Sequence, residues 1–142
     1  MAVKLFTDTN ILLDLFDAMR PHAQSSQALW QLVEADEAEA CVSESVLTTV
    51  DYILRKTFSR QKRKAVYNQL LDFITILPAS ESMFRKALQS NHSDLEDAVL
   101  YQIAIEHELD FFITNDKAAL KKPALPQLPV ITAKEFVTKA GK

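Results

Sequence analysis

The chain holds a single glycine, Gly141, among its 142 residues. A loop that cradles phosphate needs glycines so that backbone amides can close on the ligand. Their absence disfavours a Walker-type nucleotide site, a Rossmann dinucleotide site and the nucleophile elbow of a serine hydrolase. Cysteine is equally scarce: Cys41 stands alone, so no internal disulfide can form. With only His22, His92 and His107 beside it, no Cys–His zinc spacing exists. Long apolar runs are also missing. None approaches the ~20 residues of a membrane-spanning helix, and Asp8 interrupts the first apolar run too early for a targeting leader. The expectation is a soluble protein of a reducing cytoplasm with no membrane partner.

What is present suits one ordinary domain over residues 1–142, with 48% apolar residues to build a core. The net charge of −3 is not that of a basic nucleic-acid binder, but the charges are unevenly placed. Residues 52–71 contain no acid and carry Arg55, Lys56, Arg60, Lys62, Arg63 and Lys64. Residues 94–116 contain no Lys or Arg and carry Asp94, Glu96, Asp97, Glu106, Glu108, Asp110 and Asp116. A basic and an acidic segment in one small domain suit a polyanion together with a cation.

Short apolar segments alternate with helical patterns. "VKLFT", "AEACVS", "TILP", "DFFIT" and "LPVIT" read as strands. Helices are expected over "NILLDLFDAM", stopped by Arg20-Pro21, and over "AQSSQALWQLVEADE", "SVLTTVDYILRKTF", "RQKRKAVYNQLLDFI" and "SESMFRKALQS". Ser93 with Glu96 reads as a capping box for a helix running to His107, and Thr132 with Glu135 as another for a terminal helix. Strands separated by helices predict an α/β chain: a three-layer α/β/α sandwich with a central parallel sheet of four to five strands.

Ligands of open parallel sheets bind outside the carboxyl ends of the strands. Asp8 follows the first strand there and Asp116 closely follows the fourth. Asp94 and Asp97 share the first turn of a helix, on neighbouring positions of one face. Asp51 lies between apolar neighbours on the helix after the second strand. Each acid also has a plainer reading. Asp8 can cap a helix, Asp94 and Asp97 can serve a helix dipole, Asp116 can be a turn residue, and Asp14 and Asp17 read as a solvated helix face. Together, several carboxylates at one sheet edge would repel each other until a divalent cation joined them. An all-oxygen donor set selects Mg²⁺ or Mn²⁺ over zinc. Such a centre can activate a water against a phosphodiester, while the basic segment grips the polyanion.

The segments "FTDTNILLD", "SVLTTVDYILRK" and "SDLEDAVLYQIAIEHELDFFITND" resemble, in order, those of the PIN-domain ribonucleases, from about Val3 to Phe136. The resemblance implies the PIN-like sandwich and Mg²⁺- or Mn²⁺-dependent cleavage of RNA. Many single-domain bacterial and archaeal members are toxins held inactive by an antitoxin protein, and many form homodimers. By position, Asp8 matches the family's first acid, Asp97 its third and Asp116 its fourth; Asp94 matches an extra acid of one branch. Asp51 falls where glutamate is usual, one methylene short. Thr114 matches a hydroxyl residue that orients the site, and Asn10 belongs to the opening Asp-Thr-Asn. Arg55, Lys56, Arg60, Lys62, Arg63 and Lys64 are candidates for holding RNA. The expected chemistry is in-line attack of water on phosphorus, leaving a 5′-phosphate and a 3′-hydroxyl. Two alternatives stand beside this. One is a degenerate PIN domain that binds RNA or protein without cutting. The other is a haloacid-dehalogenase-like phosphatase, which wants an acid where Asn10 stands.

Overall fold

The computed structural model describes residues 2–122 and 124–141. Its elements follow the chain as β1 (Val3–Thr7), α1 (Thr9–Phe16), α2 (Ala23–Glu34), β2 (Ala38–Ser43), α3 (Glu44–Leu54), α4 (Arg60–Leu70) and β3 (Ile74–Leu77). Then come α5 (Glu81–Gln89), α6 (Leu95–Glu106), β4 (Phe111–Ile113), α7 (Lys117–Leu120), β5 (Val130–Ile131) and α8 (Ala133–Ala140). All strand pairs are parallel, in the order β3-β2-β1-β4-β5. The predicted α/β/α sandwich and its parallel sheet are therefore what the chain forms.

The central strands are buried because helices cover the sheet. In β1, Leu5, Phe6 and Thr7 are all fully buried. Phe6 lies in register between Cys41 of β2 and Phe112 of β4, and its ring stacks on Phe112 with centroids 5.2 Å apart. Helix α2 packs on α1 and α8, and α1 on α3; α5 packs on α6. Right-handed crossovers put the connections β1–β2 and β2–β3 on one face and β3–β4 on the other. Trp30 of α2 ties its layer together by donating its indole N–H to the Ile11 carbonyl at 3.0 Å.

Short polar side chains start most helices. Ser43, Ser59 and Ser80 cap α3, α4 and α5, and Thr132 with Glu135 forms the expected capping box of α8. Several expected boundaries move. Helix α1 ends at Phe16, not Met19, because Asp17 turns extended and its carboxylate takes the Met19 amide at 3.0 Å. Helix α3 ends at Leu54, not Phe58, and α4 at Leu70, with Ile74 opening β3. The cap of α6 is Asp94, not Ser93: the Asp94 carboxylate accepts the Asp97 amide at 3.0 Å. With glycine absent from the body of the chain, Asp36 and Glu108 take the left-handed turns after α2 and α6, at φ 61° and 57°. Among the described residues, no helix is long and apolar enough to cross a membrane.

Candidate active site

Strands β1 and β4 sit side by side where the strand order runs outward in both directions. A crevice opens beyond their carboxyl ends at such a switch point. Asp8 is the first residue past β1. Its Oδ1 accepts the Ile11 amide at 3.1 Å, which makes it the cap of α1. Its Oδ2 accepts the hydroxyl of Thr114, past the end of β4, at 2.5 Å. Thr114 is fully buried, and its oxygen in turn accepts the Asp116 amide at 3.1 Å. Asp116 caps α7 through the Ala118 amide at 3.0 Å. Cap and site are thus the same carboxylates.

Asp8, Asp97, Asp116 and Thr114 line one small pocket, joined by His92 and Lys122. The space enclosed is about 30 Å³, room for an ion or a water and not for an organic ligand. Burial pushes the Asp8 carboxyl up from 3.8 to about 6; the bonds from Thr114 and Ile11 oppose this, and the charges of Asp97 and Asp116 add to it. Asp97 is also raised, first by burial and then by the neighbouring Asp94 charge. The Lys122 ammonium, 3.7 Å from Asp97 Oδ2, works in the other direction.

The remaining expected site residues lie elsewhere. Asp94 is an exposed cap outside the pocket lining; it accepts the Asp97 amide, and its charge raises the Asp97 carboxyl. Asn10 is exposed, and its side-chain carbonyl accepts an Arg20 N–H at 3.0 Å. Asp51 does not reach the pocket. Its carboxylate accepts from Arg63 Nε at 2.8 Å and from the Tyr67 hydroxyl at 2.7 Å, linking α3 to α4. Those contacts, the Tyr67 bond foremost, hold its carboxyl below the usual range. Of the basic run, Arg63 is spent on Asp51, Arg55 lies over the Tyr52 ring and Lys62 over the Phe58 ring. Lys56, Arg60 and Lys64 are exposed. Asp14, expected in solvent, is only 3% exposed, bonded by Arg20 Nε and Ser26 Oγ, each at 2.6 Å.

Sequence reasoning missed the other polar side chains of the lining, His92, Tyr101 and Lys122. His92 read as structural, and Lys122 sits beside Lys121 in a stretch with no motif. Only the return of the chain after α7 brings Lys122 to Asp97, and no local pattern records that.

The chain is similar in sequence and in fold to known proteins. The chain is 29% identical over 139 residues to Ribonuclease VapC1 of Aquifex aeolicus (strain VF5), covering 94% of this chain and 92% of the relative. Its fold is similar to that of VapBC2 from Rickettsia felis, solved bound to a DNA fragment from its promoter (TM-score 0.65, 17% identity, 92% of this chain and 98% of that one). It is also similar to VapC20 of Mycobacterium tuberculosis, a sarcin–ricin-loop-cleaving toxin (TM-score 0.64, 13% identity, 85% and 98%). The family model described as PIN domain matches residues 4–118. With that match across most of its length and its acids gathered at the sheet's switch point, the chain belongs to the PIN-domain family.

Proposed function

We propose that the protein is a divalent-metal-dependent endoribonuclease acting as the toxin of a toxin–antitoxin pair. The observation that carries this is the convergence of Asp8, Asp97 and Asp116 on one pocket with an uplifted Asp8. Among the described residues, no three His, Cys, Asp or Glu side chains form a ready ligand cage. The proposed ion is therefore one held by one or two carboxylates together with water and substrate phosphate, as Mg²⁺ can be. The donors are all oxygen, the space is ion-sized, and mutual repulsion leaves the site short of positive charge. When bound, the ion would neutralise phosphate charge and make water a better nucleophile. Asp8 and Asp97 are the proposed ligands, with Asp116 beside them. Thr114 holds Asp8 Oδ2 in place, and Lys122 offers the scissile phosphate a positive charge at the rim.

An antitoxin partner is supported by the relatives: VapBC2 is one, and a toxin–antitoxin complex from Klebsiella pneumoniae has the same fold (TM-score 0.63, 23% identity). A homodimer and a cytoplasmic location remain part of the proposal. Withdrawal of Asp51 into an ion pair favours one other reading, a PIN domain that binds without cutting. The phosphatase alternative lacks its second acid, since Asn10 points to Arg20.

The test is cleavage of single-stranded RNA by the purified protein with Mn²⁺, against the same reaction in EDTA and against Asp8→Asn. Cleavage that EDTA stops and that falls at least a hundredfold in the variant is expected. Metal-supported RNA binding with no cleavage would decide for the binding module. Cleavage indifferent to EDTA and to Asp8→Asn would remove the nuclease centre altogether.

A further inference from the structure

Beside the acidic pocket lies a second, larger cleft of about 270 Å³, and the two share His92, Tyr101 and Lys122. We propose that this cleft is a nucleobase subsite, holding the base of the nucleotide next to the scissile phosphate. The inference rests on the ribonuclease reading.

The shape argues first. The acidic pocket admits an ion or a water, whereas the adjoining cleft has room for a planar ring system. Because the lining is continuous, a phosphate at the carboxylates leaves its own base within reach of the cleft. Lys122 stands at the junction, placed by Asp97 at 3.7 Å, where a nucleotide's phosphate and base would divide.

Its chemistry argues next. The walls are apolar: Ile105 on α6 and Leu125 on the segment after α7, the latter 44% exposed. One end carries the His92 and Tyr101 rings, with centroids 5.6 Å apart. Unpaired bases of RNA are recognised in this way, by ring faces and apolar walls together with hydrogen bonds to their edges. Besides Lys122, the lining offers the uncharged amides of Gln102 and Asn91. Gln102 spends one N–H on Glu106 at 2.9 Å and keeps its carbonyl, and Asn91 lies exposed on the rim. His92 Nδ1 is a buried ring nitrogen with no partner among the described residues. A buried polar atom without a partner is costly.

The floor is rigid. The Tyr101 hydroxyl donates to the Leu128 carbonyl at 2.7 Å and accepts the Leu125 amide at 2.9 Å, so ring and wall are fixed together before any ligand arrives. Pre-ordering of this kind spares a ligand the cost of arranging its own site.

The experiment titrates 5′-AMP, 5′-UMP and ribose 5-phosphate, in EDTA, into protein carrying ¹³C-labelled Ile and Leu methyls. Saturable shifts of the Ile105 and Leu125 methyls are expected with the nucleotides, and binding at least tenfold weaker with ribose 5-phosphate. Gln102→Trp, which fills the cleft, and Leu125→Ser, which opens its wall, should each weaken nucleotide binding by tenfold. In parallel, cut sites in random-sequence single-stranded RNA should show a base preference beside the break that Gln102→Trp flattens. Equal shifts from all three ligands, shifts confined to other methyls, or two variants that bind like the parent would overturn the subsite. Binding at these methyls with no cutting of RNA would sink the ribonuclease reading and leave the subsite standing. Cutting without base preference or binding would do the reverse.

Discussion

The carboxyl of Asp8 works under opposing demands. It must be charged to hold a cation, yet its surroundings disfavour the charge, with a value of about 6 against 3.8 for a free aspartate. Between those values the folded state binds more protons than the unfolded one. Stability therefore falls as pH rises from about 4 to about 6, and the deficit persists above. It is on the order of 3 kcal/mol, at ~1.4 kcal/mol for each pH unit that separates the two values. Asparagine can still accept the Ile11 amide and carries no charge. Asp8→Asn should accordingly melt several degrees higher at pH 7.5 in the absence of metal, and the gap should close at pH 4. A gap independent of pH in thermal melts would mean that Asp8 is not strained by its charge. Asp14 illustrates the limit of reading single residues. Its place on α1 looked like solvent, because Arg20 and Ser26, which bury it, reach it from a later turn and a different helix.

At the scale of elements, the strands and most helix starts were legible because their signals are local. The apolar character of Leu5-Phe6 suits a strand buried in a covered sheet, and Thr132 with Glu135 announces the terminal helix. Helix ends were less legible, since a chain whose one glycine, Gly141, follows the last helix lacks the usual stop signals elsewhere. After α4, helical apolar spacing runs through Leu70, Leu71 and Phe73, and only turn bonds from Asp72 to Gln69 and Phe73 to Leu70 reveal the break. The acids at strand ends were legible from topology. The fate of Asp51 was not, because Arg63 and Tyr67 come from the next helix and turn it into a brace between α3 and α4. A paired consequence follows. Mn²⁺ or Mg²⁺ should raise the melting temperature, as any ligand of the native state does, and Asp97→Asn should diminish that rise. Asp51→Asn should lower the starting melting temperature and leave the rise intact. A lost rise in Asp51→Asn, measured by scanning calorimetry, would return Asp51 to the metal site.

Over the whole molecule, the two charged segments identified in the sequence have different fates. The acidic one supplies Asp97 and Asp116 to the pocket, whereas half of the basic run is already engaged with Asp51, Tyr52 and Phe58. Arg55 and Lys62 are exposed as well but lie over those rings, whereas Lys56, Arg60 and Lys64 are exposed and make none of these contacts, so these three are the ones to test against a polyanion. Every phosphate that a protein neutralises adds roughly 0.7 to the slope of log affinity against log salt for single strands. Removing the charge of these three together should weaken RNA binding at low salt and flatten that slope by up to about 2. An unchanged slope in a salt titration would assign them to plain surface.

Two carboxylates of the pocket, those of Asp8 and Asp116, also begin helices α1 and α7, and Asp94, outside it, begins α6. A descendant that had abandoned all chemistry would still be selected to retain a capping side chain at each of these positions, aspartate or asparagine, because its helices start on those atoms. Substitution by alanine therefore confounds an injured scaffold with a silenced enzyme. Asparagine, which preserves the helix start, is the replacement whose effects can be interpreted.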